Sequence, residues 1–178
     1  MSLAPPTKVE QLQKTLHAKA KESPNYRFYA LYDKVYRADV LWHAHRICQT
    51  NDGSPGVDGQ TFDDIEKYGR KQGLDELAEE LRTTRYRPQP VRRVYIPKPG
   101  KAGQTRPLGI PTIKDRVVMT AAMLVLEPIF EADLQPEQNA YRPNRSALDA
   151  VTQVSALLHS RHAEVIDADL SGYLDLAS

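Results

Sequence analysis

Apolar and polar positions follow two different periods along this chain, and the change of period marks out its elements. Phe28, Leu31, Val35, Ala38 and Trp42 recur every three to four residues and predict one amphipathic helix over residues 24–48. Ser23-Pro24 reads as its N-cap with proline at the first helical position. The turn cluster Asn51-Asp52-Gly53-Ser54-Pro55-Gly56 stops it. Residues 1–22 are polar with a weak helical pattern, either a tail or an exposed helix over 9–21. Residues 61–81 predict two short helices broken near Gly69 and Gly73, with Leu74, Leu77 and Leu81 on the buried face.

The pattern then turns strand-like. Pro90-Val91-Arg92-Arg93-Val94-Tyr95-Ile96-Pro97 and Thr105–Ile110 read as two strands around Lys98-Pro99-Gly100-Lys101-Ala102-Gly103-Gln104, a β-hairpin with a long basic tip. Thr112 and Asp115 form a helix-start signature, and Val117, Ala121, Leu124, Val125 and Pro128 mark the helix behind it, which the proline ends or kinks. Ser146 and Asp149 repeat the signature before a helix lined by Leu148, Val151, Val154 and Leu158. Residues 164–170 read as a short buried strand with no neighbour to pair with. The order helix, hairpin, helix, helix, strand makes the fold class α+β.

Composition adds few restrictions. The 178 residues suffice for one domain or slightly more. The single cysteine, Cys48, excludes an internal disulfide and suits a core position in a reducing setting. No apolar run approaches the roughly 18 residues of a membrane span, and the first residues lack a signal-peptide core. The expectation is a soluble, cytoplasmic protein with no membrane partner.

Charge adds more, through its distribution. The net charge is +1, yet residues 82–116 hold Arg82, Arg85, Arg87, Arg92, Arg93, Lys98, Lys101, Arg106, Lys114 and Arg116 against a single acid, Asp115. A basic block in an otherwise acidic chain is the footprint of a phosphate-bearing partner. A solvated basic face is the plain alternative; the placement on a hairpin rather than a tail favours a binding role. Tyr86 and Tyr95 either stack on bases or sit buried in the fold, the second being the preferred reading. His43 and His45, two residues apart on a helix, point in different directions and make no metal pair. Asp58 belongs to loop structure. Asp169, at the end of Val165-Ile166-Asp167-Ala168-Asp169-Leu170, is placed to hold a Mg²⁺ ion at a strand tip. Two-metal phosphoryl chemistry needs further carboxylates about 4 Å away, and only Asp175 follows it.

Four blocks in order resemble the group II intron-encoded reverse transcriptase/maturases over roughly residues 30–176. Gly56-Val57-Asp58-Gly59-Gln60-Thr61 resembles the block ahead of the fingers. Residues 86–98 (Tyr86 to Lys98) with Arg106-Pro107-Leu108-Gly109-Ile110-Pro111-Thr112 resemble the first numbered reverse-transcriptase block. Gln138-Asn139-Ala140-Tyr141-Arg142-Pro143-Asn144-Arg145-Ser146-Ala147 resembles the second, and Asp167-Ala168-Asp169-Leu170-Ser171-Gly172-Tyr173 the start of the third. The resemblance implies the fingers and first palm strand of a right-hand polymerase with an incomplete palm. Its parts would be an N-terminal helical extension over 1–55, fingers with the basic hairpin over 56–163 and the start of the palm over 164–178.

The same resemblance implies RNA-directed DNA synthesis with Mg²⁺ and dNTPs on an RNA template and DNA primer, together with binding of group II intron RNA for splicing. It makes Asp169 the catalytic, metal-binding carboxylate, with the Leu170 carbonyl as second ligand. Lys98 and Arg106 would meet the incoming triphosphate, with Leu170 and Leu174 beside the nucleotide. Arg85, Arg87, Arg92, Arg93 and Lys101 would contact RNA backbone. Arg142 and Arg145 would orient template, or serve structure alone. Leu174 departs from the family's usual aromatic, most often Phe, and is too small to reject a 2′-hydroxyl in the same way. Divergence from residue 174 and the end at Ser178 read as a frameshift, an early stop or an artificial boundary, giving an N-terminal fragment inactive as a polymerase alone. Two other readings stay open: a stand-alone intron-RNA-binding module, and a decayed gene product. Apolar surface on the last strand and on the helix over 112–128 would then be exposed and could support a dimer.

Overall fold

The structure, a computed structural model, describes residues 3–100, 103–142, 144–162, 164–166 and 168. It is α+β. Helices α1 (Thr7–Glu22), α2 (Tyr32–Val35), α3 (Ala38–Asn51), α4 (Phe62–Tyr68) and α5 (Arg70–Arg82) precede the antiparallel strands β1 (Arg92–Pro97) and β2 (Thr105–Ile110). Helices α6 (Ile113–Glu131) and α7 (Ala147–His159) follow. Two compact units divide the chain, one up to Asp133 and one from Leu134.

In the first unit α6 runs beside α1, α2 and α3, while α5 packs on α3 and α4. The core joins Val9 and Leu16 of α1, Leu41, Ala44 and Cys48 of α3, Leu74, Leu77 and Leu81 of α5, and Val117, Ala121, Leu124 and Val125 of α6. Burial of this apolar surface is the main stabilising contribution. The other side of α6 presents Met119, Met123, Leu126 and Phe130 to solvent.

Several sequence expectations need correction. Residues 7–22 are a helix that buries Val9, Leu16 and Ala20, neither a tail nor a fully exposed element. The single helix over 24–48 is not formed. Residues 24–31 are irregular, α2 lasts four residues, and α3 begins anew after Arg37, whose backbone is extended. Ser23 closes α1 instead of opening the next helix, donating its N–H to the Lys19 carbonyl; Pro24 then stops the chain from continuing as helix, as prolines just past a C-cap do. Trp42 lies half out of the core, under the Arg70 guanidinium at 5.3 Å.

Pro128 neither ends nor breaks α6, which continues to Glu131. A helical proline leaves the carbonyl four residues earlier without its donor. Here that carbonyl, Leu124 O, accepts from the Gln13 amide of α1 at 3.1 Å. The expected break between α4 and α5 does occur, at Gly69, whose φ of 108° few other residues tolerate.

In the second unit Ser146 and Asp149 form the expected capping box, but α7 has no buried residue and Leu148, Val151, Val154 and Leu158 are exposed. The strand expected over 164–170 is absent among the described residues. Glu164, Val165, Ile166 and Ala168 are irregular, and the described sheet has two strands, β1 and β2. Asp167, Asp169 and Leu170 lie outside the described residues.

Candidate nucleic-acid interface

The hairpin stands on a rigid footing. Thr112, the N-cap of α6, accepts the Asp115 N–H at 3.1 Å and donates its hydroxyl to the Asp115 carboxylate at 2.7 Å. That carboxylate, only 4% exposed, also accepts the Tyr86 hydroxyl at 2.5 Å and the Gln89 N–H at 3.1 Å. Asp115 thus ties the segment entering β1 to the helix leaving β2. Burial, and the Asp115 carboxylate beside it, push the Tyr86 phenol well above its usual range.

The turn over 52–56 locks the other side. Arg92 of β1 donates to the Pro55 carbonyl at 3.0 Å. Arg116 of α6 donates to the carbonyls of Ser54 and Pro111. Gly56 lies so close to Thr112 that an added Cβ would fall 2.6 Å from the Thr112 Cα, so the turn tolerates no side chain there. Asp58 accepts the Gln60 N–H at 3.3 Å, the loop role read for it from sequence. The Gly56-Val57-Asp58-Gly59 block is therefore a buttress for the hairpin base.

On this footing the basic block divides. Arg82 forks onto Glu79, Lys114 pairs with Glu80 at 2.7 Å, and Arg92 and Arg116 clamp the turn. Arg85 donates to the Thr83 hydroxyl, and Arg87 to the carbonyls of Thr84 and Tyr86, both remaining exposed. Arg93, Lys98 and Arg106 have no side-chain partner among the described residues, and all three are exposed. Ile96 is opposite Arg106 in the ladder, and the Lys98 N–H bonds the Gln104 carbonyl. Alternation then sets Lys98 and Arg106 on one face of the hairpin and Arg93 on the other, beside Tyr95. Tyr95 is 60% exposed, which corrects the expectation that it is buried; Tyr86 is the partly buried one. An exposed ring beside a cation is an arrangement suited to stacking on unpaired bases.

The remaining sequence candidates fall elsewhere. In the second unit, Arg142 donates to the carbonyls of Gln135 and Gln138 at 2.7 and 2.9 Å, and Arg145 to that of Pro136 at 3.3 Å. Both therefore donate to carbonyls of their own loop. Lys101, Asp169, Leu170 and Leu174 lie outside the described residues. Among the described residues no group of three or more His, Cys, Asp or Glu side chains is placed to hold a metal ion, and no helix is long and apolar enough to cross a membrane.

No protein-family model matches the chain. It is 35% identical over 173 residues to protein YkfC of Escherichia coli (strain K12), covering 94% of this chain and 45% of that protein. Over 129 residues it is 31% identical to the group II intron-encoded protein LtrA of Lactococcus lactis subsp. cremoris, covering 71% of this chain and 21% of that protein. A COX1/OXI3 intron 1 protein of Saccharomyces cerevisiae is 28% identical over 142 residues, covering 79% of this chain and 16% of that protein. The chain is a relative of the group II intron-encoded proteins. It spans under half the length of each of these relatives.

For a relative of the intron-encoded proteins, the hairpin cations were legible as a charge run, but the buttress was not. Asp115 was read as a capping residue alone, and its hydrogen bonds to Tyr86 and Gln89 cross 29 and 26 residues of sequence. One signal could have found it: a lone acid within a dense basic block must have an internal reason to be there. Arg116 carried no signal that separates a turn clamp from a phosphate contact.

Proposed function

We propose that this chain carries the fingers region of an intron-encoded reverse transcriptase/maturase, with the start of its palm over 164–178, and that its own contribution is to hold group II intron RNA. The observation that carries this is the hairpin: Arg93, Lys98 and Arg106 project from it without internal partners while neighbouring cations are spent on the fold. Phosphate neutralisation by such cations releases counterions and gives salt-dependent affinity. In the longer enzyme Lys98 and Arg106 meet the triphosphate of an incoming dNTP, Arg as a fork and Lys as a point charge. Asp169 and the Leu170 carbonyl supply part of a Mg²⁺ site that other carboxylates complete. A bacterial cytoplasm suits both RNA and nucleotide.

The test is intron RNA binding across a salt series with the purified chain and with Arg93→Ala/Lys98→Ala/Arg106→Ala. The triple variant should melt like the wild type and lose about two to three units of log–log salt slope. An unchanged slope would remove the hairpin from the RNA interface. Primer extension by the 178-residue chain should stay at the level of a buffer blank; incorporation of dNTPs would show a complete catalytic site and refute the non-polymerase reading.

A further inference from the structure

Away from the hairpin, helices α3, α4 and α5 and the first turns of α6 line a half-open cavity of about 270 Å³. Ile65, Leu74, Leu77, Ile113 and Val117 form its apolar walls. His45 of α3 lines it, 1% exposed, with the Phe62 ring edge-on at 5.8 Å. Neither imidazole nitrogen of His45 has a hydrogen-bond partner. A neutral imidazole carries one donor and one acceptor, and buried polar groups are almost always satisfied by protein, water or ligand. Gln60, also on the wall, has no side-chain partner among the described residues. An apolar chamber with a few convergent polar groups is how small-molecule sites are built.

Size and charge narrow the occupant. A dry cavity of roughly 150 Å³ holds a benzene ring, so this one has room for two fused rings. Every positive charge on its wall already answers a carboxylate: Arg70 pairs with Glu66, and Lys114 with Glu80. Glu76 adds a negative charge whose bonds run to Tyr68 and Gln72 alone. Such a mouth repels phosphate. We propose that this cavity binds a neutral, unphosphorylated fused-ring heteroaromatic molecule whose ring edge hydrogen-bonds His45. The site is independent of the RNA reading, since none of its wall residues belongs to the hairpin.

Gly73 allows a direct test. It lies within α5 on the cavity wall, and a Cβ added there meets only Tyr68 Cδ1, at 3.8 Å. Gly73→Leu should fill the chamber from inside a helix that gains by losing a glycine. The probe is benzimidazole, which offers one donor and one acceptor, titrated into the whole chain while the ring nitrogens of His45 are followed by ¹⁵N NMR. The expected result is a saturable shift of those nitrogens and a raised melting temperature. Gly73→Leu should bind benzimidazole at least about tenfold more weakly, and His45→Phe should do the same while keeping a cooperative melt. AMP and a short purine oligoribonucleotide should leave the His45 nitrogens unmoved.

Three results would overturn the proposal: no His45 shift at millimolar benzimidazole, which would leave the chamber to water; AMP or the oligoribonucleotide moving His45 as benzimidazole does; or unchanged affinity in a folded Gly73→Leu. Should that variant fail to fold, Gly73→Met, with its flexible side chain, takes its place. The wild-type His45 shift decides in either case.

Discussion

Helix α6 starts where Thr112 accepts the Asp115 N–H at 3.1 Å, and helix α7 starts where Ser146 accepts the Asp149 N–H at 3.2 Å. Each of these hydroxyls also donates to the carboxylate three residues on. From there the two diverge. Ile113, Asp115, Val117, Ala121, Leu124, Val125 and Pro128 of α6 are buried, while no residue of α7 is. Local chemistry therefore decides where a helix begins, and tertiary partners decide what its apolar stripe is worth. At Asp115 the cap became part of a buried network that holds the hairpin; at Asp149 it remained a cap.

The contrast should show most clearly in side-chain truncation. Leu124→Ala should destabilise the first unit by about 2–5 kcal/mol, whereas Leu157→Ala in α7, with 47% of its surface exposed, should fall within about 0.5 kcal/mol. Equal losses in urea titrations would mean that α7 is covered in solution. Next come the caps. Asp115→Ala leaves the Tyr86 hydroxyl and the Gln89 N–H short of an acceptor and should cost about 2–3 kcal/mol globally. Asp149→Ala should cost about 1 kcal/mol, visible as faster amide exchange confined to α7. A global loss from the second would erase the distinction.

A pH series sharpens the comparison further. Burial, aided by Arg46 for His43 and by Arg70 against Glu66 for His45, holds both imidazoles below the ordinary value of 6.5. The unfolded chain then takes up protons first as pH falls. This stabilisation is complete above about 6.5 and is lost as pH drops toward the folded values. The first unit should weaken in that window, and His43→Phe or His45→Phe should flatten its pH slope; a slope unchanged in both would show that other groups set it. The smallest stability effect belongs to Arg93→Ala/Lys98→Ala/Arg106→Ala, expected within about 0.5 kcal/mol because these side chains are exposed and have no hydrogen-bond or ion-pair partner among the described residues.

What the sequence makes legible follows the same line. Most elements announced by punctuation lie where expected: the hairpin around Gly100 and Gly103, the turn at Asp52-Gly53, the Gly69 break and the capping signatures at Thr112 and Ser146, while Ser23-Pro24 marks the end of α1 rather than a helix start. Elements that depend on long-range partners do not. The stretch 24–37 keeps helical spacing at Phe28, Leu31 and Val35, yet Tyr32 reaches the Leu81 carbonyl at 2.8 Å and Arg37 forks onto Asp39, and these distant and local bonds accompany a broken path. At the candidate site the free cations are legible as a group. Which of the ten are free is not, because Arg92 and Arg116 differ from Arg93 only in having a turn carbonyl within reach.

The Gln13–Leu124 bond carries a consequence for how the protein is made. Its two ends lie 111 residues apart, and synthesis proceeds at about 5–20 residues per second, so α1 leaves the ribosome on the order of ten seconds before the helix it must complete. During that interval Val9 and Leu16 have no α6 to cover them, and a lone helix of this length is marginal in water. Helix α1 is therefore made well before it is secured, and the carbonyl freed by Pro128 is met by a segment synthesised 111 residues earlier.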